Sequence, residues 1–274
     1  MIRFKTLGLA ALLATGLGVA TASAQEAREP KTPQRQNWSF AGPLGKYDTA
    51  QLQRGFEVFR TVCANCHTAN LMSFRNLSQP GGPEFSEAQV KALAAEYQIT
   101  DGPGDDGKMF QRPGRPADAW PKPEAYPNPE AAKATFGAAP PDMSVLAKAR
   151  GFERPLLASI ADLFTQYQEQ GADYIYSLVA LGYANPKDAN SNDYFQAAQH
   201  IAMPKPLSDK QVPYTDGSPQ TVDQYARDVT AFLYWVAEPK LEDRKKTGLR
   251  VMVFLLIFAS LLYFTKKKIW ADAH

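Results

Sequence analysis

The sequence predicts a mainly α protein with long irregular loops and one C-terminal transmembrane helix. Three observations predict it. Apolar residues recur at helical spacing in several short segments, and no alternating strand pattern is sustained. Residues 102–141 hold nine prolines, which removes amide donors and fixes φ too often for regular structure to persist. Near the end, an uncharged run from Val251 to Thr265 is bracketed by Arg244, Lys245, Lys246 and Arg250 on one side and Lys266, Lys267 and Lys268 on the other.

Arg3 and Lys5 precede an uncharged stretch from Thr6 to Ser23 that ends in Ala22-Ser23-Ala24, so residues 1–24 read as a secretory signal peptide. A first transmembrane helix suits the Gly, Thr and Ala content less well. At the other end, Val251–Thr265 alone would rise about 22 Å, short of a roughly 30 Å hydrocarbon core. Starting at Thr247, with Arg250 snorkelling, gives about 28 Å. The spacing therefore predicts an anchor over 248–265, a linker over 241–247, an exported domain over 25–240 and a cytoplasmic tail over 266–274. Basic residues flank both ends, so orientation follows from the signal rather than from a loop-charge count. These features place the chain in a bacterial inner membrane with its large domain in the periplasm and the lipid bilayer as one partner.

In the exported part, Leu52, Phe56, Phe59 and Val62 share one face of a helix over 48–62. Ser86 with Gln89 reads as a capping box opening a helix that runs through Tyr97. Shorter helical patterns follow over 143–150, 156–167 and 172–181. The clearest is last: Thr221 caps it, Gln224 completes the box, and Val222, Tyr225, Ala226, Val229, Phe232, Leu233 and Val236 form a core-facing stripe that Pro239 ends.

The only two cysteines stand in Cys63-Ala64-Asn65-Cys66-His67. A C-x-x-C pair alone fits a disulfide or a redox dithiol, but a histidine directly after the second cysteine is the pattern of covalent haem c attachment. Two thiols at this spacing reach the two vinyl groups of one porphyrin, and the next side chain faces the iron, so His67 is the expected proximal ligand. The fold expectation thereby becomes a c-type cytochrome haem domain plus the anchor. A six-coordinate electron carrier needs a second axial ligand, whereas a haem sensor or peroxidase leaves that position open. Met72 lies too close to His67 to cross to the opposite face. Met203, beside Pro204 and Pro206, and His200 both remain candidates, Met203 favoured because it also raises the potential.

Taken together these segments resemble the cytochrome c1 family, the haem subunit of the cytochrome bc1 (ubiquinol to cytochrome c) oxidoreductase. The resemblance rests on Cys63 to His67, Asp101-Gly102-Pro103, Gly107-Lys108-Met109-Phe110, Arg112-Pro113-Gly114, Pro127 to Ala132, Pro140 to Ser144, Ala149-Arg150, Ala202-Met203-Pro204, and Asp228-Val229 through Glu238-Pro239. It implies Met203 as the axial methionine, Arg150 as a cation beside a haem propionate, and Tyr126 in a proline-rich segment near the haem edge. It also implies cytochrome b and a Rieske iron–sulfur protein as partners in a dimeric complex, with cytochrome c as acceptor. Two places depart from the family pattern: residues 151–171 are longer than in its shorter members, and Thr135-Phe136 stands where asparagines are common.

The implied function is to accept single electrons from the Rieske protein on haem c and pass them to cytochrome c. The alternative is a membrane-anchored monohaem cytochrome serving another oxidase or dehydrogenase. Neither requires a general acid, base or nucleophile, and none is assigned. Residues 25–239 hold 20 Lys plus Arg against 25 Asp plus Glu, which excludes the basic footprint of a nucleic-acid binder and favours a basic protein partner.

Overall fold

The structure is a computed structural model that describes residues 29–271, except 124, 127, 186, 189, 198, 199 and the side chain of Leu163. The expected signal over 1–24 and the last residues of the tail lie outside the described residues. Among the described residues eight α-helices carry the fold: α1 Thr49–Thr61, α2 Glu87–Ala95, α3 Pro129–Phe136, α4 Leu146–Ala149, α5 Leu156–Thr165, α6 Gln170–Tyr176, α7 Val222–Ala237 and α8 Leu241–Ile269. Two four-residue strands, β1 Gln98–Asp101 and β2 Phe110–Pro113, pair antiparallel with Gln98 opposite Pro113 and Asp101 opposite Phe110.

The centre is the crossing of α1 and α7. Asp48 caps α1 by accepting from the Gln51 N–H, and Leu52, Phe56, Val58 and Phe59 are buried. Gly55 permits the close approach, since a Cβ there would stand 2.0 Å from the Asp228 carbonyl oxygen. The buried Asp228 carboxylate accepts from Arg54 Nε, the Tyr214 hydroxyl and Gln224 Nε2, each at 2.9 Å. Gln224 thus contributes only its N–H to the Thr221 cap; its side chain is used inside the core rather than closing the box. Burial on α7 extends well beyond the expected stripe to Thr230, Ala231, Tyr234 and Trp235. The reason is that α1 packs on one side while the N-terminal segment covers another: Phe40 stacks on Tyr234 at 4.4 Å between centroids, and Trp38 Nε1 donates to Asp173 of α6 at 2.8 Å.

The proline-rich region holds more regular structure than its composition suggests. Gly102 and Gly107, both at positive φ, turn the chain between β1 and β2, and Arg112 on β2 bridges Asp101 and Asp118. Further on, Asn128 caps α3, Pro129 opens it and Gly137 closes it in the left-handed region. Conversely, the helix expected over 143–150 shrinks to one turn, because the backbone of Met143 and the side chain of Ser144 bond residues 68–71 instead.

Helix α8 is 29 residues long, about 44 Å at the α-helical rise, and it is apolar and long enough to cross a membrane. The expected linker over 241–247 forms its first two turns.

Candidate haem-attachment site

Helix α1 ends at Thr61, and a single 3₁₀ turn, Cys63–Asn65, carries both thiols into His67. The Cys66 and His67 amides both donate to the Cys63 carbonyl, at 3.1 and 2.9 Å, so the motif is wound on itself directly behind the helix. Both cysteines are unpaired. Burial, reinforced by the neighbouring Cys66, pushes the Cys63 thiol up to about 12. Redox dithiols work the other way, with a thiolate stabilised at a helix N-terminus; here the motif follows a helix C-terminus, and Cys63 stays a neutral thiol.

His67 is buried, and its Nδ1 lies 2.9 Å from the Pro141 carbonyl oxygen. A carbonyl only accepts, so Nδ1 carries the proton and Nε2 is left with a lone pair. Burial lowers the imidazole pKa, outweighing the opposing influence of Pro141 and Asp142, so the ring is neutral near pH 7. That is the protonation state and tautomer of a metal-ligating histidine with a carbonyl behind it.

The segment presenting Pro141 is held in turn. Asp142 Oδ2 accepts from Thr68 Oγ1 at 2.7 Å and from the Asn70 amide at 2.9 Å. Ser144 Oγ accepts from the Leu71 amide at 2.9 Å, and Met143 N donates to Thr68 O at 2.8 Å. Burial alone would raise the Asp142 carboxyl, but hydrogen bonds from Asn70, Ser144 and Thr68 hold it below its ordinary value. Pro141 and Asp142 are therefore functional positions that residue-by-residue reading passed over. The signal available was the Pro-Pro-Asp-Met-Ser run itself, noted for the resemblance without a role.

The structure brings Tyr126 to this motif: its hydroxyl donates to the Cys66 carbonyl, and its ring meets Phe136 of α3 edge-on at 6.1 Å. Arg150 is exposed at the end of α4, near enough to Tyr174 for its charge to oppose the upward shift that burial gives that phenol. Met72 and Met143 are buried in the core, while Met109 is exposed on β1–β2. Met203 is half-buried on a separate segment, its carbonyl accepting from the Tyr183 hydroxyl at 2.9 Å. His200 is exposed and pairs with Asp188 at 3.4 Å.

These residues fit a covalent haem c. The motif supplies a neutral imidazole with an open nitrogen and two protonatable thiols at attachment spacing, and the separate 202–204 segment carries the half-buried Met203 thioether. Cys63 and Ala64 of the motif are themselves half-buried and packed on the core, the kind of apolar surface a porphyrin covers.

Comparison with known proteins agrees with this geometry. The Cytochrome C1 family model matches residues 38–273. A "Cytochrome b/c1" of Bradyrhizobium diazoefficiens is 52% identical over 275 residues, covering 96% of this chain; the chain spans only 39% of that protein. The cytochrome c1 of Blastochloris viridis is 44% identical with 96% of each chain covered. "Cytochrome c1-2, heme protein, mitochondrial" of Solanum tuberosum is 41% identical, covering 89% of this chain and 88% of its own. With the ordered motifs, the clamped histidine and a match running almost end to end, the chain belongs to the cytochrome c1 family.

Proposed function

We propose that the chain is the haem-bearing electron-transfer subunit of a bc1 complex, taking electrons from a Rieske iron–sulfur protein and passing them to a cytochrome c. In this reading α8 anchors it in the bacterial inner membrane and residues 25–240 lie on the periplasmic side. The observation that carries the reading is His67: one ring nitrogen is committed to Pro141, the other is open, and two unpaired thiols precede it.

Haem c, held by Cys63 and Cys66 through thioethers and by His67 and Met203 at the iron, would supply a reversible one-electron couple. The chain's own contribution is positional. Pro141 fixes the imidazole tautomer and makes Nε2 a better donor. Asp142 and Ser144 hold Pro141 in place. Tyr126 ties the proline-rich loop to the motif, and Arg150 stands ready to neutralise a propionate as the resemblance implies. The acidic balance of residues 25–239 supports steering of a basic acceptor, an effect that salt weakens. The name of the Bradyrhizobium relative, which joins b and c1 in one protein, supports cytochrome b as a partner.

The test is purification of the native complex from membranes, with mass spectrometry of the peptide containing Cys63 and Cys66. One added haem mass, with cytochrome b and a Rieske protein co-purifying, is expected. Absence of that mass overturns the cofactor; haem without those partners overturns the complex and leaves a cytochrome serving another oxidase or dehydrogenase.

A further inference from the structure

Where the anchor helix meets the head, a groove lies between the turn at residues 41–46 and the first turns of α8. The turn is drawn tight: the Lys46 amide donates to Ser39 O at 3.0 Å, and a Cβ at Gly45 would fall 2.1 Å from the Ala41 carbonyl oxygen. Lys245 of α8 clips it to the helix, its Nζ donating to Phe40 O at 2.6 Å and sharing Gly45 O at 3.4 Å. This clamp leaves Leu44 projecting, 74% exposed, beside an exposed Lys46.

Charge and polarity change systematically along the groove. Its upper wall holds Lys46, Lys245 and Lys246 with one acid, Glu242, and that acid is already satisfied by the Tyr47 amide at 3.2 Å and Lys246 at 3.4 Å. The groove is therefore net cationic. Its lower end is Leu249, 54% exposed, which leads on the same helix face to Val253. Lys245 and Lys246 lie three and two residues before Gly248, the first residue of the anchor, about 3–4.5 Å along the helix axis. A bilayer's headgroup layer is roughly 5–8 Å thick on each side of its hydrocarbon core, so both lysines fall inside that layer and Leu249 at the top of the apolar core when Gly248 marks its edge. The exposed Leu44 leaves apolar surface in water, which burial among acyl carbons would relieve.

We propose that this groove binds the headgroup of one anionic phospholipid from the leaflet on the haem-domain side: Lys46 and Lys246 hold its phosphodiester, and Leu44 and Leu249 bracket the first acyl carbons. The site rests on α8 spanning the membrane. It ties the orientation of the head to the membrane surface, because the same turn is clipped to α8 and, through Phe40, to Tyr234 of α7.

The experiment uses the full haem-loaded chain in nanodiscs containing phosphatidylglycerol with a photoactivatable group near the top of one acyl chain. Adducts on peptides containing Leu44 and Leu249 are expected. In Lys46→Gln/Lys246→Gln they fall by about fivefold per lysine removed, the attraction of one lysine near an anionic surface, while the haem spectrum is unchanged. The same probe with a phosphatidylcholine head gives background labelling, and added inorganic phosphate does not compete. Equal labelling by phosphatidylcholine, undiminished labelling of the double variant, displacement by free phosphate, or a protein cross-link in place of a lipid adduct each overturns the proposal. Leu44→Asn, which keeps every lysine, is expected to lower the Leu249 adduct as well; no change there removes the apolar bracket. Alkaline extraction separates the two premises: a chain released from vesicles denies the anchor, whereas a chain that stays without adducts denies the groove alone.

Discussion

On the His67 side, the haem motif leaves the end of α1, which crosses α7 at Gly55 with the backbones in contact. Four hydrogen bonds between residues 68–71 and residues 142–144 lock the Pro141 carbonyl behind the imidazole. On the Met203 side, the chain runs through Ala202 and Pro204, both exposed. The Ile201 amide on Asn190 O and the Tyr183 hydroxyl on Met203 O, each 2.9 Å, hold it. The proposed proximal ligand is thus mounted on the α1–α7 core and the proposed axial methionine on a strap. The difference teaches where a change around a haem bound in the proposed way would begin: the imidazole moves only if the core moves, whereas the thioether moves when the strap does.

The largest effect should come from attacking the core. Gly55→Ala places a methyl group 2.0 Å from the Asp228 carbonyl oxygen, a backbone atom that cannot rotate away, so α1 and α7 must separate. The expected cost is about 3 kcal/mol, which lowers the midpoint of thermal unfolding of the purified complex by about 6–12 °C. Pro204→Ala on the strap should cost about 1 kcal/mol or less, chiefly through the unfolded chain. Equal losses at the two positions would abolish the contrast.

Met203→Leu breaks the comparison from the other side. Leucine fits the space but offers no lone pair, so haem stays attached, stability changes by less than about 1.5 kcal/mol, the reduction potential falls and the reduced protein binds carbon monoxide. Potentiometry with a carbon monoxide difference spectrum checks both. An unchanged potential removes Met203 from the iron and returns His200 to consideration, although its exposure and its pairing with Asp188 argue for a surface role.

The same contrast explains what could be read from the sequence. Local signals were legible because their physics is local: the stripe on α1, the Ser86–Gln89 box, the apolar run of α8 and the five-residue haem motif each carry their own explanation. What escaped depended on distant partners. Gln224 looked like half of a capping box, but its side chain reaches Asp228, a carboxylate whose burial no window of sequence reveals. The 143–150 helix lost its first turn to hydrogen bonds with residues 68–71. Helix α3 was hidden in a region judged by its proline count, although Asn128, Pro129 and Gly137 are a start and stop signal once read as positions rather than composition. Pro141, the atom group that sets the tautomer of His67, is invisible until the chain is folded.

Tyr183→Phe tests the strap itself. The hydroxyl donates to Met203 O and is also bonded by Asn192, and burial pushes its pKa up to about 12, so it remains a donor throughout the physiological range. Removing it loses the bond with Asn192 and the one hydrogen bond to the strap, the latter worth about 1 kcal/mol. If that free energy holds the strap closed, the fraction of reduced haem that reacts with carbon monoxide rises about fivefold, with unfolding temperature almost unmoved. A fall in unfolding temperature without any gain in carbon monoxide reactivity would assign Tyr183 to the core instead.

The smallest effect sharpens the comparison through pH. Asp118 supports the histidine side: its backbone carbonyl accepts from the Phe74 amide, and its carboxylate forms a two-pronged pair with Arg112 at 2.7 and 2.8 Å. That pairing, with the Arg115 amide, holds the carboxyl at about 2, down from 3.8. A depressed folded-state pKa means the contribution is fully present above the unfolded value near 4 and is lost as pH falls towards 2. Asp142, also depressed, acts in the same direction. Acid should therefore loosen the clamp behind His67. Asp118→Asn should be slightly less stable than the parent at pH 7 and approach it as pH falls to about 2, where the parent loses the ion pair as well. Unfolding midpoints of the two proteins across pH 2–7 provide the measurement, and parallel curves would show that the Arg112 pair contributes nothing to the histidine side.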